Sequence, residues 1–282
     1  MSLQLQAKAE LELRKRKSAG VFTLSPYAMF QRQYRDDPAG FVHDCFKWPD
    51  GRGPYFYQDK ILSELVPHDR VSVRGPHGLG KSAVMSWALL WFALTRDGRD
   101  WKAPVTASAW RQLQKYLWPE LHKWARTLDW SKIGRAPFDT RSELLTLNLK
   151  LSTGEAFTMA SDNPELIEGA HAEELFYIFD ESKAVQYQTW DSAEGAFSTG
   201  AAKWLAASTP GEPMGRFYEI QSHKPGFEDW HVIHVTLEDC IRAGSIKPEW
   251  AADRRRQWGE QSPVYLNRVR GEFAESSRDG VI

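Results

Sequence analysis

Cysteine is nearly absent. Cys45 and Cys240 are the only two thiols in the chain, too few for a disulfide framework and without metal-ligand spacing. Net charge is nearly absent as well: at −1 over 282 residues, the chain lacks the basic field that coats nucleic acid along its length, so any DNA contact must be local. Nowhere do about 18 uncharged apolar residues run together, and the N-terminus, MSLQLQAKAELELRKRKSAG, carries charges throughout and no apolar signal core. Neither membrane insertion nor secretion is supported, and a cytoplasmic setting is expected. Internal repeats and low-complexity tracts are missing too.

A hydrophobic content of 42% is enough for one large core. Many of the 13 tryptophans, such as Trp87, Trp91 and Trp124, fall inside helix-like patterns where burial is the ordinary explanation. Residues 2–17 mix Leu3, Leu5, Leu11 and Leu13 with basic residues and end in Arg14, Lys15, Arg16 and Lys17, which predicts an exposed helical arm. From Pro26 to Trp48 the pattern is helical but broken by Pro38 and Gly40, and Pro49 to Pro54 is turn-rich. The expected division is an arm and lead-in over 1–54, a main domain over 55–273, and the start of a linker over 274–282.

Within the main domain, short β-like runs alternate with longer amphipathic segments. Val71 to Arg74 precedes a helix from Lys81 to Thr95, and Val105 to Ala107 precedes one from Trp110 to Thr127. Two runs between Leu144 and Ala160 flank Ser152, Thr153 and Gly154, which suggests a hairpin. Leu175 to Phe179, Trp204 to Ala207 and Val232 to Val235 are compact apolar runs suited to buried strands, with helices following Pro248 and Pro263. The alternation predicts an α/β fold with a central, mostly parallel sheet flanked by helices.

One strand-to-helix turn carries a specific signal. Gly75, Pro76, His77, Gly78, Leu79, Gly80, Lys81 and Ser82 match G-x-x-x-x-G-K-[ST]. Glycines let backbone N–H groups turn inward as an anion nest, and the helix aims its positive end at the phosphates. Lys81 would reach the β- and γ-phosphates, and the Ser82 hydroxyl would ligate Mg²⁺. An ordinary glycine-rich turn would not explain a lysine at a helix N-terminus, where the dipole disfavours a cation lacking an anionic ligand.

About a hundred residues on, the run Leu175 to Phe179 leads into Asp180 and Glu181. At the C-terminal end of a central parallel strand these carboxylates face the same rim as the glycine-rich loop. Asp180 can hold Mg²⁺ through water, and Glu181 can orient or deprotonate an attacking water. A third strand, Lys203 to Ala207, delivers Ser208, Thr209 and Pro210 to that rim, where two hydroxyls can report the γ-phosphate. Upstream, Gln58 beside Tyr55, Phe56 and Tyr57 offers an amide for an adenine edge.

Taken in this order, Gln58, Gly75 to Ser82, Asp180 with Glu181, and Ser208 to Pro210 resemble the ATPase domain of tailed-phage large terminases. Glu168, Gly169, Ala170 and His171, the run Arg255 to Tyr265, and Gly271 to Phe273 also look like one branch of that family. The likeness runs from about Tyr55 to the C-terminus. It implies a P-loop NTPase of the ASCE type in which Gln58 recognises adenine, Gly75 to Ser82 is Walker A, Asp180 and Glu181 are Walker B with its catalytic glutamate, and Ser208 with Thr209 is the coupling motif. It further implies ATP and Mg²⁺ as cofactors, double-stranded DNA as the substrate moved, portal protein and small terminase subunit as partners, and a homo-oligomeric ring as the working form in the cytoplasm of a host cell.

Two departures from the family pattern stand out. Many terminases carry an arginine inside Walker A where His77 stands here, so the neutralising cation must come from elsewhere. Arg111, after the second strand, and Arg216, after Ser208 to Pro210, are the candidates, in cis or in trans. The second departure is that only Ala274 to Ile282 follow Phe273, too little for the nuclease half, and no nuclease activity is expected from this chain.

Other readings of the same motifs are a helicase-like motor on nucleic acid, a nucleotide kinase, and a nucleotide-binding scaffold without turnover. A helicase needs a second motor lobe, a kinase has no use for Glu181, and a scaffold predicts binding without hydrolysis. His231 and His234 sit three apart in a β-like run, on opposite faces, and so do not share one zinc ion. Arg254, Arg255 and Arg256 read as a solvated helix face.

Overall fold

The computed structural model describes residues 24–49, 51–107, 109–160, 171–198 and 201–275. The expected arm over 2–17, the stretch Glu168 to Ala170 and most of the expected linker lie outside the described residues.

A seven-stranded sheet organises the chain. Its strands are β1 (Arg70–Arg74), β2 (Trp101–Ala107), β3 (Asn148–Lys150), β4 (Gly154–Ala160), β5 (Glu174–Asp180), β6 (Ala201–Ser208) and β7 (His231–His234). They lie in the order β3-β4-β2-β5-β6-β1-β7. Every neighbouring pair is parallel except β3 and β4, the expected hairpin. Both faces of the sheet are covered, which is why its central strands read as continuous apolar runs. Alternate residues feed opposite faces. Phe176 and Ile178 of β5, with Leu205 and Ala207 of β6, join one core. Leu175, Tyr177 and Phe179, with Trp204 and Ala206, join the other, an aromatic cluster that also holds Trp190, Phe217 and Trp230.

Four helices build the first face: α1 (Pro26–Tyr34), α2 (Pro38–Cys45), α3 (Phe56–Glu64) and α4 (Lys81–Arg96). Every residue of α4 from Val84 to Arg96 is buried, so it is the central helix of the domain and its sequence is apolar all round. The Trp91 indole donates to the Tyr34 carbonyl at 2.7 Å, tying α1 to α4.

The division expected at Tyr55 cuts through this core. Phe30, Tyr34, Phe41, Val42, Cys45 and Phe46 are buried in the same cluster as α4 and the sheet, so residues 26–48 pack as part of the main body. The helical pattern breaks at Pro38 as expected, between α1 and α2, whereas Gly40 lies inside α2. Pro38 opens α2 at a position where its missing N–H costs nothing, and the Asp37 side chain caps the Gly40 amide at 2.8 Å. The expected helix from Trp110 contains a π-helical turn at Leu113–Leu117 before it continues as Trp118–Ala125. A second such turn, Leu266–Arg270, ends at Gly271.

At the far end of the sheet from the glycine-rich loop, Glu174 is held by Arg35 at 2.5 Å and by Arg96 and Arg99 at 3.3 Å each. Burial of its carboxylate opposes ionisation, but the three guanidiniums, Arg35 foremost, hold it below the ordinary range. This cluster fixes the start of β5 against the C-terminal end of α4, and so sets the strand that carries the acidic pair.

Candidate nucleotide-binding site

Strands β1, β6 and β5 are adjacent and end in register. Arg74 pairs with Ser208, and Ala207 pairs with Asp180. One rim therefore carries the loop after β1, the hydroxyls after β6 and the carboxylates of β5. The insertion of β6 between the loop strand and the acidic strand is a matter of topology that no spacing in the sequence specifies.

The loop after β1 is glycine-rich for steric reasons. Gly78 and Gly80 have φ of 90° and 84°, the left-handed region that glycine tolerates. A Cβ on Gly80 would also stand 2.5 Å from Gln58 Nε2. Pro76 and Leu79 are buried, His77 and Gly78 exposed. Gly80 precedes α4 without a side-chain cap, so the helix begins at Lys81 and Ser82 with its positive end toward the rim.

The Glu181 carboxylate bridges two of the motifs. One oxygen lies 3.6 Å from Lys81 Nζ and the other 3.1 Å from Ser208 Oγ. Glu181 reaches this position in a left-handed backbone conformation, φ 47° and ψ 47°, unusual for a residue with a side chain and a cost typical of sites where geometry is imposed by function. Ser182 anchors the turn, its hydroxyl lying 2.7 Å from the Phe179 carbonyl and 3.1 Å from that of Ala207.

Asp180 is only 4% exposed. Its carboxylate accepts the Glu181 amide at 3.0 Å, and burial, reinforced by the Glu181 charge, pushes its pKa up to about 6. A buried carboxylate with this little compensation suits a divalent cation, and Ser82 opens the helix facing the same rim. The residues therefore fit Mg²⁺. Thr209 is buried too, and its hydroxyl finds no hydrogen-bond partner among the described residues.

Gln58 is positioned differently from an open adenine receptor. It is 3% exposed, its Nε2 donates to the Leu79 carbonyl at 3.1 Å, and its Oε1 accepts the Tyr55 amide at 2.9 Å. Both ends of the amide are thus engaged in bracing the loop and capping α3. Arg216 lies apart from the rim groups. It pairs with Asp191 at 2.6 Å and Glu219 at 3.5 Å and stacks over Tyr187 and Phe227, beside the aromatic core of the opposite face. Arg111 is exposed just past the C-terminal end of β2, on the same side of the sheet as the rim.

Two cations near the loop carried no sequence signal that singled them out. Lys183, three residues past Asp180, donates to the Pro210 carbonyl at 3.3 Å. Arg268, in the π-helical turn before Gly271, accepts the His77 amide on its carbonyl at 2.9 Å. Desolvation, with Lys81 and Arg268 nearby, holds the His77 imidazole below its ordinary pKa, which favours the neutral ring. Burial likewise lowers Lys183, with Glu181 opposing and Lys81 and Arg268 reinforcing the shift.

The histidines of β7 face apart as expected. His231 lies 3.5 Å from Glu64 and stacks on His68 with ring planes 9° apart, whereas His234 faces Arg74 and Glu272. Glu64, His68 and His231 bring three ligand atoms within 4.8 Å of one another. Both imidazole Nε2 atoms face Glu64 Oε2, at 3.2 Å from His68 and 3.5 Å from His231, so the carboxylate pairs with the stacked rings.

A glycine-rich loop between a strand and a buried helix, an acidic pair on a strand two places away, and a hydroxyl-bearing strand between them give the chain the fold of a P-loop NTPase of the ASCE type, as expected. No protein-family model matches the chain. The chain is similar in sequence to the probable terminase large subunit of Enterobacteria phage P7, 25% identical over 248 residues that cover 82% of this chain and 48% of that protein. It thus spans about half the length of the curated relative it matches. In fold it is similar to the large terminase ATPase domain of Thermus phage P74-26, with TM-score 0.57 and 18% identity over 79% of this chain and 95% of that one. It is similar also to the large terminase of a thermophilic bacteriophage solved in complex with ADP, with TM-score 0.58 and 17% identity over 76% and 52% of the two chains. The resemblance to phage large terminases that the motifs carry is borne out by these likenesses. Among the described residues, no helix is long and apolar enough to cross a membrane.

Proposed function

We propose that this chain binds ATP with Mg²⁺ and hydrolyses it, as the motor domain that drives double-stranded DNA into a phage procapsid. The observation that carries this reading is the convergence of Lys81, Glu181 and Ser208 from three separate segments within hydrogen-bonding or ion-pairing distance. Lys81 and the loop amides bind the β- and γ-phosphates. A phosphate at Lys81 competes with Glu181 for the ammonium, which frees the carboxylate to orient water and accept its proton. Ser208, already bonded to Glu181, and Thr209 sense the γ-phosphate at the end of β6 and pass its presence to the following loop. Ser82 and Asp180 would hold Mg²⁺, whose charge offsets that of the phosphates. Gln58 acts on the nucleotide through the loop it braces, and meeting the adenine edge would require its amide to exchange partners.

The native partners on this reading are a portal protein, a small terminase subunit and further copies of the chain in a ring, with Arg111 the arginine offered to a neighbouring subunit. On this reading the motor unit takes in residues 26–48 together with 55–273, in the cytoplasm of a host cell. Steady-state phosphate release, measured with and without double-stranded DNA, tests the proposal. Hydrolysis that depends on Mg²⁺ and rises with DNA supports a motor. ATP binding without phosphate release would instead favour the scaffold reading.

A further inference from the structure

The loop has His77 where a cation is needed, and an imidazole is not a permanent cation as a guanidinium is. Phosphoryl transfer concentrates negative charge on the γ-oxygens. The fold supplies a cation from the C-terminal side of the same chain. The turn Leu266–Arg270 is locked onto the phosphate loop: the Arg268 carbonyl accepts the His77 amide at 2.9 Å, and a Cβ on Gly271 would lie 2.9 Å from backbone atoms of Gly75 and Pro76. It is locked equally to the loop after Ser208 to Pro210. Asn267 Nδ2 donates to the Gly211 carbonyl at 3.0 Å, and the Ala274 amide donates to the same oxygen at 3.1 Å.

Arg268 therefore has a fixed backbone between the two motifs that meet the γ-phosphate. Its side chain is exposed and makes no ion pair or hydrogen bond among the described residues, whereas Arg270 on the same turn is held by Glu238 at 2.7 Å. The Arg268 charge, with that of Lys81, disfavours protonation of His77 and Lys183.

We propose that Arg268 supplies, in cis, the guanidinium that meets the γ-phosphate of ATP, in the role that an arginine within the loop would otherwise fill. A planar fork of N–H donors suits phosphate oxygens better than the compact ammonium of Lys183, which is already turned to the Pro210 carbonyl. This inference rests on the ATP-binding reading of the loop.

Equilibrium titration of the full chain with fluorescent ATP and ADP analogues in Mg²⁺ tests it. Arg268→Ala and Arg268→Gln should each lower ATP affinity about tenfold or more, the scale of a lost charged hydrogen bond. ADP affinity should change less than about twofold, and thermal midpoints should hold, because the backbone contact to His77 is retained. Arg268→Lys should recover part of the loss. An unchanged ATP-to-ADP ratio in both neutral variants overturns the assignment, as does an equal loss for the two nucleotides, which would mark a structural role. Wild-type chain that binds neither nucleotide would overturn the ATP-binding reading itself, and this inference with it.

Discussion

Replacing Gly271 with alanine perturbs the nucleotide site without touching any of its side chains. Gly271 ends its turn at φ 70° and ψ 31°, a conformation that costs an L-residue about 1–2 kcal/mol. Gly244 ends another helix at φ 78° and ψ 12° and serves as the matched control. A Cβ on Gly244 meets nothing within 4 Å, whereas one on Gly271 lies 2.9 Å from the backbone of Gly75 and Pro76. Those atoms cannot rotate away as a side-chain tip would. Overpacking of this kind adds about 1–3 kcal/mol, so Gly271→Ala should cost about 2–5 kcal/mol against about 1–2 for Gly244→Ala. The cheapest relief is displacement of the phosphate loop, so ATP affinity should fall roughly tenfold in the first variant and hold in the second. Urea unfolding gives the stabilities and fluorescent ATP titration the affinities. Equal destabilisation by the two substitutions, with ATP affinity intact in both, would refute the docking of this turn on the loop.

Two further outcomes follow from the charged groups. Glu174→Gln leaves the Arg96 guanidinium, 5% exposed, without its carboxylate and should cost about 3–5 kcal/mol, read as a lower urea midpoint. Because Glu174 is held below its ordinary value of 4.5, its contribution is present above that pH and disappears as pH falls through the depressed value. Wild type should therefore lose its advantage over the Gln variant only in acid, and an advantage that disappears already above pH 4.5 would contradict this. If Arg111 acts between subunits, mixing Lys81→Ala chains with Arg111→Ala chains should restore hydrolysis that neither parent has, and no recovery at any ratio would remove Arg111 from that role.

How far the sequence spoke depended on the kind of physics involved. Buried parallel strands such as Leu175 to Phe179 announce themselves as apolar runs, and left-handed glycines such as Gly78 and Gly80 leave a mark because few other residues fit. Long-range packing leaves no such mark. Pro38 marks the break between α1 and α2, but nothing in the local pattern says that Phe41 and Cys45 of α2 join the common core. Gln58 suggested a nucleotide contact from its aromatic surroundings, but the fold turns both ends of its amide inward.

Cations were the least legible part of the site. Arg216 follows Pro210 closely in sequence, but its helix turns to the opposite face, where Asp191 takes it. Arg268 lies 187 positions past Lys81 in the numbering, and only the Gly271 turn brings it to the loop. Lys183 follows Asp180 by only three residues, but no spacing rule marks it.

The central claim is that Glu181 serves hydrolysis and not nucleotide binding. Paired measurement of ATP affinity and steady-state turnover for Glu181→Gln tests it most directly. The account predicts that affinity is retained or tightened, since no carboxylate then competes for the Lys81 ammonium at 3.6 Å. Turnover should fall on the order of a hundredfold or more, the scale of a lost general base. Turnover equal to wild type, with ATP bound as tightly, would contradict it.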